Sequence, residues 1–183
     1  MSRTFDSSKI PGDGGIVLEP IGPFHAQGCF EACQDEEIHR WLPLPRPYTR
    51  ELAEEWCQSG AEMYRRSGQG IHYAILDSGA FVGCISVKNV RWREGILEVG
   101  YWVAPHARRT GVASRAVRAL SLSAFANGFE RVELRIAPLN DRSIAVAERT
   151  GFTLEGQLRS AGITHQGRVD LLVFSLLMTD VFH

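Results

Sequence analysis

The sequence predicts a single α/β domain built on one mixed sheet, on three observations. Helix-like and strand-like patterns interleave along the chain rather than segregating. The length, 183 residues, fits one domain of roughly 100–200. With 44% hydrophobic residues, a chain of this size can bury about 70% of its unfolded surface, so it needs no disulfide or metal staple.

The elements follow in order. Residues 1–15 are polar, carry Gly12, Gly14 and Gly15, and read as a lead-in to a domain at 16–183. Ile16 to Ile21 reads as the first strand, and residues 23–39 as a helix that the three prolines of WLPLPRPY end. Thr49 before Glu51, Glu54 and Glu55 predicts a second helix start, with its end near Ser67-Gly68. IHYAIL (71–76) and FVGCISVK (81–88) are strand-like about an Asp77-Ser78-Gly79 turn, and WREG (92–95) turns the chain into ILEVGYWV (96–103). Over 111–127 the stripe Ala113, Ala116, Val117, Leu120 and Ala124 predicts an amphipathic helix that Asn127-Gly128 ends. RVELRIA (131–137) alternates as a strand, 141–149 reads as a short helix stopped by Gly151, and 152–159 and 168–178 as two strands. The last of these is apolar on both faces and is expected to be central and buried.

Composition narrows the function. Twenty Lys and Arg against 21 Asp and Glu leave a net charge of −1, which gives no bulk attraction to a phosphate backbone and argues against nucleic acid as a partner. No apolar run approaches the roughly 18 residues of a membrane span, and the first residues lack a hydrophobic signal core, so a cytoplasmic protein is expected. Cys29, Cys33 and His39 can be imagined as a zinc set, but no C-x-x-C pair or second cluster supports it. All four cysteines are expected as buried, reduced thiols, with no metal.

Two segments carry chemistry. In VAPHARRTGVASRAV (103–117) a strand closes at Pro105, a loop carries Arg108, Arg109, Thr110 and Gly111, and a helix begins at once. A helix start exposes unpaired N–H groups and the positive dipole end, and glycine lets a ligand approach the backbone. This suits a phosphate or pyrophosphate, although neither a Walker loop nor a G-x-G-x-x-G loop is present. The alternative is a plain basic loop with a helix-starting glycine. In APLNDRSIAVAERTGF (137–152), Asn140 and Ser143 sit three apart at a helix start and can point the same way. The alternative there is ordinary capping.

The loop resembles the acetyl-CoA signature [RQ]-x-x-G-x-[GA] of the GNAT superfamily of N-acetyltransferases, through Arg108, Gly111 and Ala113. EVGYWVAPHARRTGVAS, NDRSIAVAERTGFTLEG and GRVDLLVFSLL together resemble the branch that acetylates ribosomal-protein N-termini, the RimJ/RimL type. The likeness is tight over 70–178 and looser over 16–69. It implies a mostly antiparallel central sheet flanked by helices, with acetyl-CoA as co-substrate. Its pyrophosphate would lie on the N–H groups of Arg109, Thr110, Gly111, Val112, Ala113 and Ser114. Its pantetheine would run beside the strand ending at Val103, and its thiol end would meet Asn140 and Ser143. Other GNAT members often use a tyrosine as the acid; this branch commonly uses the serine, which implies that Ser143 serves the leaving thiolate.

The proton acceptor is left between Glu98 and a bare water. Glu98 shares a strand face with Gly100 and Trp102, opposite the apolar face of Leu97, Val99, Tyr101 and Val103, and is the candidate base; the alternative is a solvated strand glutamate. An α-amine is about 15% neutral at pH 7 and a lysine below about 0.1%, so an α-amine needs little help. Some members of the branch carry a base glutamate in the strand after TLEG, where this chain has Gly162; Asp170 is expected to order a nearby loop. Segments 38–48, 90–95 and 160–168 mix aromatics with cations and are the candidate acceptor loops. The expected partners are acetyl-CoA and an amine (a protein or peptide N-terminus, or a small molecule), with a second copy of the chain left open. A non-catalytic acyl-CoA sensor is the competing class.

Overall fold

A computed structural model describes residues 3–182, so the first two residues of the lead-in and the last of the domain lie outside the described residues. The strands are β1 (Ile10–Pro11), β2 (Ile16–Pro20), β3 (Ile71–Asp77), β4 (Ala80–Arg91), β5 (Ile96–Val103), β6 (Arg131–Ile136), β7 (Thr153–Thr164) and β8 (Gly167–Leu177). The helices are α1 (Ala26–Ala32), α2 (Glu36–Trp41), α3 (Arg50–Glu55), α4 (Ala61–Arg66), α5 (Val112–Ala126), α6 (Asp141–Arg149) and α7 (Met178–Val181). The strands form one sheet in the order β1-β2-β3-β4-β5-β6-β8-β7. Neighbours are antiparallel except β5 and β6. The expected mixed, mostly antiparallel α/β architecture is therefore the one observed.

Alternation decides which side chains meet which helices. Ile71, Tyr73 and Ile75 of β3, Ile85 and Val87 of β4, Leu97 and Val99 of β5, and Val132 and Leu134 of β6 join Val112, Ala116, Val117 and Leu120 of α5 in one core. The other face carries α1 and α3, with Ala26, Cys29, Ala53 and Cys57 packed against Trp102 and Phe81. Ser78 and Gly79 both have positive φ, 51° and 86°, the backbone of a tight hairpin turn that glycine accepts without strain.

Three local expectations are corrected. The lead-in contains β1, which pairs with β2. The helix expected over 23–39 is two helices, because Asp35 accepts from Ile38 N at 3.1 Å and starts α2 afresh. The second helix runs as expected from its Thr49 cap to Arg66, with a π turn at Trp56–Gly60 between α3 and α4. The final strand does lie inside the sheet, between β6 and β7, but only Phe174, Ser175 and Leu176 are buried; β7 and β8 overshoot the core as an exposed hairpin. Among the described residues no helix is long and apolar enough to cross a membrane.

Gly83 of β4 lies opposite Val103, and a Cβ there would meet the Trp102 carbonyl oxygen at 2.4 Å. Gly83→Ala is expected to push β5 out of register and to destabilise by about 1–3 kcal/mol. Urea unfolding at constant m-value measures this.

Candidate active site

The β5–β6 ladder ends at the Val99–Leu134 rung. Beyond it β5 stays paired with β4 as far as Val103, and β6 stays paired with β8 as far as Ile136. The edge of residues 100–103 that faces β6 is thus open. A cavity of about 400 Å³ follows this opening and is lined by Tyr101, Trp102 and Val103, by Arg108, Arg109 and Gly111 to Ser114, and by Asn140 and Ser143. One cavity therefore gathers nearly every cofactor-binding candidate.

Gly111 is the N-cap of α5, with φ of 82° and no side chain to cap the helix. A Cβ built there meets nothing within 4 Å, so it would project into open space at the helix start. Among the described residues no loop or cap carbonyl accepts from the N–H groups of 109–114. The Ser114 hydroxyl is buried with no hydrogen-bond partner. Unclaimed donors at a positive helix end fit an anionic group.

The residues differ in how they serve this cradle. The Arg108 guanidinium grips both oxygens of Asp35, and its Nε reaches the Val103 carbonyl at 3.3 Å. It ties the loop to the N-terminus of α2 and to the end of β5 instead of projecting into the cavity. Thr110 turns away, its hydroxyl donating to the Ala107 carbonyl at 2.8 Å, and it does not line the cavity. Arg109 is exposed, has φ of 65° and lines the mouth. Ala113, expected on the core stripe, packs against the core and also borders the cavity. Asn140 caps α6, its Oδ1 accepting from Ser143 N at 3.2 Å.

Glu98 stands apart. It is 4% exposed and lines a different opening, of about 510 Å³, on the opposite sheet face with Glu133, Arg135 and Asn89. It is not the solvated strand glutamate of the alternative. Its carboxylate receives Lys88 Nζ at 3.0 Å, Asn89 Nδ2 at 2.8 Å and Arg135 Nε at 3.4 Å.

Of the candidate acceptor loops, Trp41 lines the cavity beside Asn140 and Ser143, whereas Trp92 donates to the Gly68 carbonyl and packs on Phe5 and Phe129, away from it. Asp170 accepts from Ser160 N at 2.7 Å and Gln157 Nε2 at 2.6 Å, holding the irregular stretch of β7, a structural role. A Cβ on Gly162 would meet Leu171 and Val169 at 3.0 Å, so that position has no room for a longer side chain without movement. The four cysteines are free and buried, and Cys57, which looks isolated in sequence, brings its sulfur within 3.8 Å of that of Cys29. His39 Nε2 lies 2.8 Å from the Cys33 carbonyl oxygen, and among the described residues no metal-holding cluster forms. Tyr101 packs on the core face as the alternation predicts, and it also lines the cavity. Only a three-dimensional position reveals the latter.

Residues 16–153 match the model of the acetyltransferase (GNAT) domain. The chain belongs to the GNAT acetyltransferase family. Its relatives bear out the likeness to the RimJ/RimL branch. YdaF of Bacillus subtilis (strain 168), provisionally named a ribosomal N-acetyltransferase, is 31% identical over 71% of this chain and 69% of its own. The ribosomal-protein-serine acetyltransferase of Escherichia coli (strain K12) is 26% identical over 65% of this chain and 67% of its own. The solved structure of RimL, a ribosomal L7/L12 α-N-protein acetyltransferase in complex with coenzyme A, shares the fold with a TM-score of 0.85. It is 20% identical and covers 94% of this chain and 99% of its own. This GNAT protein is an N-acetyltransferase.

The Arg108 clamp makes a pH prediction for this acetyltransferase. The Arg108 hydrogen bond, helped by the Ile38 N–H, holds the Asp35 carboxyl below its ordinary value against the opposing effect of burial. A depressed carboxyl stabilises the fold above its unfolded pKa of about 3.9 and loses that contribution as pH falls through the folded value. Asp35→Asn keeps a capping side chain but removes the charge that pairs with Arg108 and the helix N-terminus, and should therefore lower stability near neutrality by about 1 kcal/mol. The gap to the parent should close in acid below about pH 4. Melting curves of both proteins across pH test this.

Proposed function

We propose that this acetyltransferase carries the acetyl group of acetyl-CoA to the α-amine of a protein or peptide N-terminus. The observation that carries the reading is the opening between β5 and β6, with a hydroxyl on one side and a carboxylate on the other. Ser143 borders the cavity on the α5 side, and Glu98 points to the opposite face one rung before the opening. When bound, acetyl-CoA supplies an acyl group already activated as a thioester. The free donors of residues 109–114 and the Ser114 hydroxyl would hold its phosphates, and the open edge of β5 up to Val103 would bond its pantetheine amides as a neighbouring strand does.

The amine would approach from the Glu98 side. Glu98 already has three partners, so it can take the amine's proton only by loosening one of them or through a water. Such a base suits an acceptor that is partly neutral already. An α-amine fits and a lysine does not, at about 15% against less than about 0.1% neutral at pH 7. Ser143 would then donate to the departing sulfur. The names of the relatives support a protein acceptor, while Gly162, which carries no carboxylate where some members of the branch have a glutamate, weighs against a ribosomal protein and toward Glu98 or water as the proton acceptor.

A panel of peptides with different N-termini, amino acids, polyamines and aminoglycosides tests the acceptor, with free CoA thiol as the measured product. Peptide N-termini should turn over best. A polyamine or aminoglycoside at the head of the panel would move the assignment to small-molecule acetylation, and no acceptor-dependent thiol with any of them would place the acceptor outside these classes and overturn the peptide reading.

Two substitutions test the site. Gly111→Glu sets a side chain and a negative charge into the phosphate cradle and should abolish acetyl-CoA binding by calorimetry; unchanged affinity would move the cofactor elsewhere. Glu98→Gln should leave acetyl-CoA affinity intact and lower turnover by about 10²–10⁴-fold, less for an α-amine than for a lysine. Near-parent turnover across the α-amine titration range, read beside a melting curve, would remove Glu98 from the mechanism.

A further inference from the structure

Tyr101 lies two residues past the last β5–β6 rung, on the face that turns toward α5. Its ring packs on the core, the residue lines the cavity shared with Asn140 and Ser143, and its hydroxyl lies beside Ser143. That hydroxyl is buried and, among the described residues, makes no hydrogen bond. Burial pushes the phenol up to about 12, and the neighbouring Ser143 draws it partly back. Tyr101 therefore stays protonated, a donor, at any working pH. A buried hydroxyl without a partner is costly, and a phenylalanine would fill the same volume without that cost.

Ser143 has the complementary deficit. Its backbone N–H is fixed by Asn140 at 3.2 Å, but its hydroxyl is a rotor with one proton and several possible acceptors. We propose that Tyr101 is the positioning residue for Ser143, its phenol O–H donating to Ser143 Oγ so that the serine's own proton is aimed at the sulfur leaving the acetyl group. The idea rests on the reading of Ser143 given above. In the transfer, the amine nitrogen bonds to the acetyl carbon and gives up one proton on the Glu98 side. The carbon–sulfur bond breaks and its electron pair goes to sulfur, which takes the Ser143 proton. Ser143 recovers a proton from water entering the cavity, and Tyr101 keeps its own. One proton leaves the amine and one arrives on sulfur.

The test compares Tyr101→Phe, Ser143→Ala and the double variant. Tyr101→Phe should melt no lower than the parent, since it removes only an unpartnered hydroxyl. Its KM for acetyl-CoA should stay within about twofold, while kcat falls about tenfold or more. The double variant should be no slower than Ser143→Ala alone, because the phenol acts only through the serine. A Tyr101→Phe kcat within about twofold of the parent, or losses that multiply in the double variant, would overturn the proposal and leave Ser143 in its role. A Ser143→Ala enzyme with parental kcat would remove the serine from the mechanism, and the positioning role with it. A fall in melting temperature for Tyr101→Phe, with kcat and KM unchanged, would make the hydroxyl purely structural.

Discussion

The structure turns on the parting of two parallel strands. β5 follows its antiparallel partner β4 to Val103, β6 follows β8 to Ile136, and the two share rungs only from Ile96–Arg131 to Val99–Leu134. Parallel pairing is the weaker of the two kinds, and the twist between neighbours accumulates along the sheet, so this is where the ladder yields. Yielding here leaves a strand edge without a partner in the middle of a sheet, where it is shielded from other chains. It also lets β5 run straight into the loop that starts α5. The open edge and the cradle beyond it follow from one missing set of rungs.

The rung before the parting is held by charge. Glu98 and Glu133 face each other across β5 and β6 and are 4% and 6% exposed. Two buried carboxylates this close would repel, but Lys88, Arg91, Arg131 and Arg135 surround them. Arg135 matters most, because it comes from the strand that is leaving. It reaches back to Glu98 at 3.4 Å and to Glu133 at 3.2 Å, tying the departing strand to the one it departs from. Removing one member of such a buried set strands the others, at about 3–5 kcal/mol. The same network occupies the carboxylate of Glu98, so its structural role competes with the proton-accepting role proposed for it.

Much of this was legible in the sequence. Hydrophobic period located the strands from Ile71 to Val103 and α5, since each buries one face and the pattern has to repeat with the element. The loop from Arg108 to Gly111 was legible because a glycine between a strand and a helix has few other uses. The break in the first helix was not. Its cause is Asp35, which serves both α2, as cap, and Arg108, as a partner 73 residues away, and a one-dimensional pattern carries no sign of the second bond. The exposure of β7 and β8 was missed for a related reason: VDLLVFSLLM is apolar throughout, yet only its end lies over α5, and overhang is a property of the sheet's outline. Trp92 looked like an acceptor contact because aromatics beside arginines suit one, whereas it fills the gap under the N-terminal segment.

Asn140 and Ser143 show why capping and chemistry need not be alternatives. Two helices begin at the candidate cavity, and both aim positive ends at it. At α6 the Asn140 side chain takes up the Ser143 N–H, which spends that donor and fixes the backbone beneath the serine hydroxyl. At α5 the cap is Gly111, which has nothing to offer, and the donors of that turn stay free. The uncapped helix is thus the one fit for a multiply charged group, and the capped helix is the one fit to hold a single neutral hydroxyl at a defined point. A side-chain cap at Gly111 would compete with the anion for the same N–H groups, and losing the cap at Asn140 would leave Ser143 on a fraying turn. The cavity is therefore polarised along its length by which helix carries its own cap, with the charged end of a ligand drawn to α5 and its reactive end left beside α6.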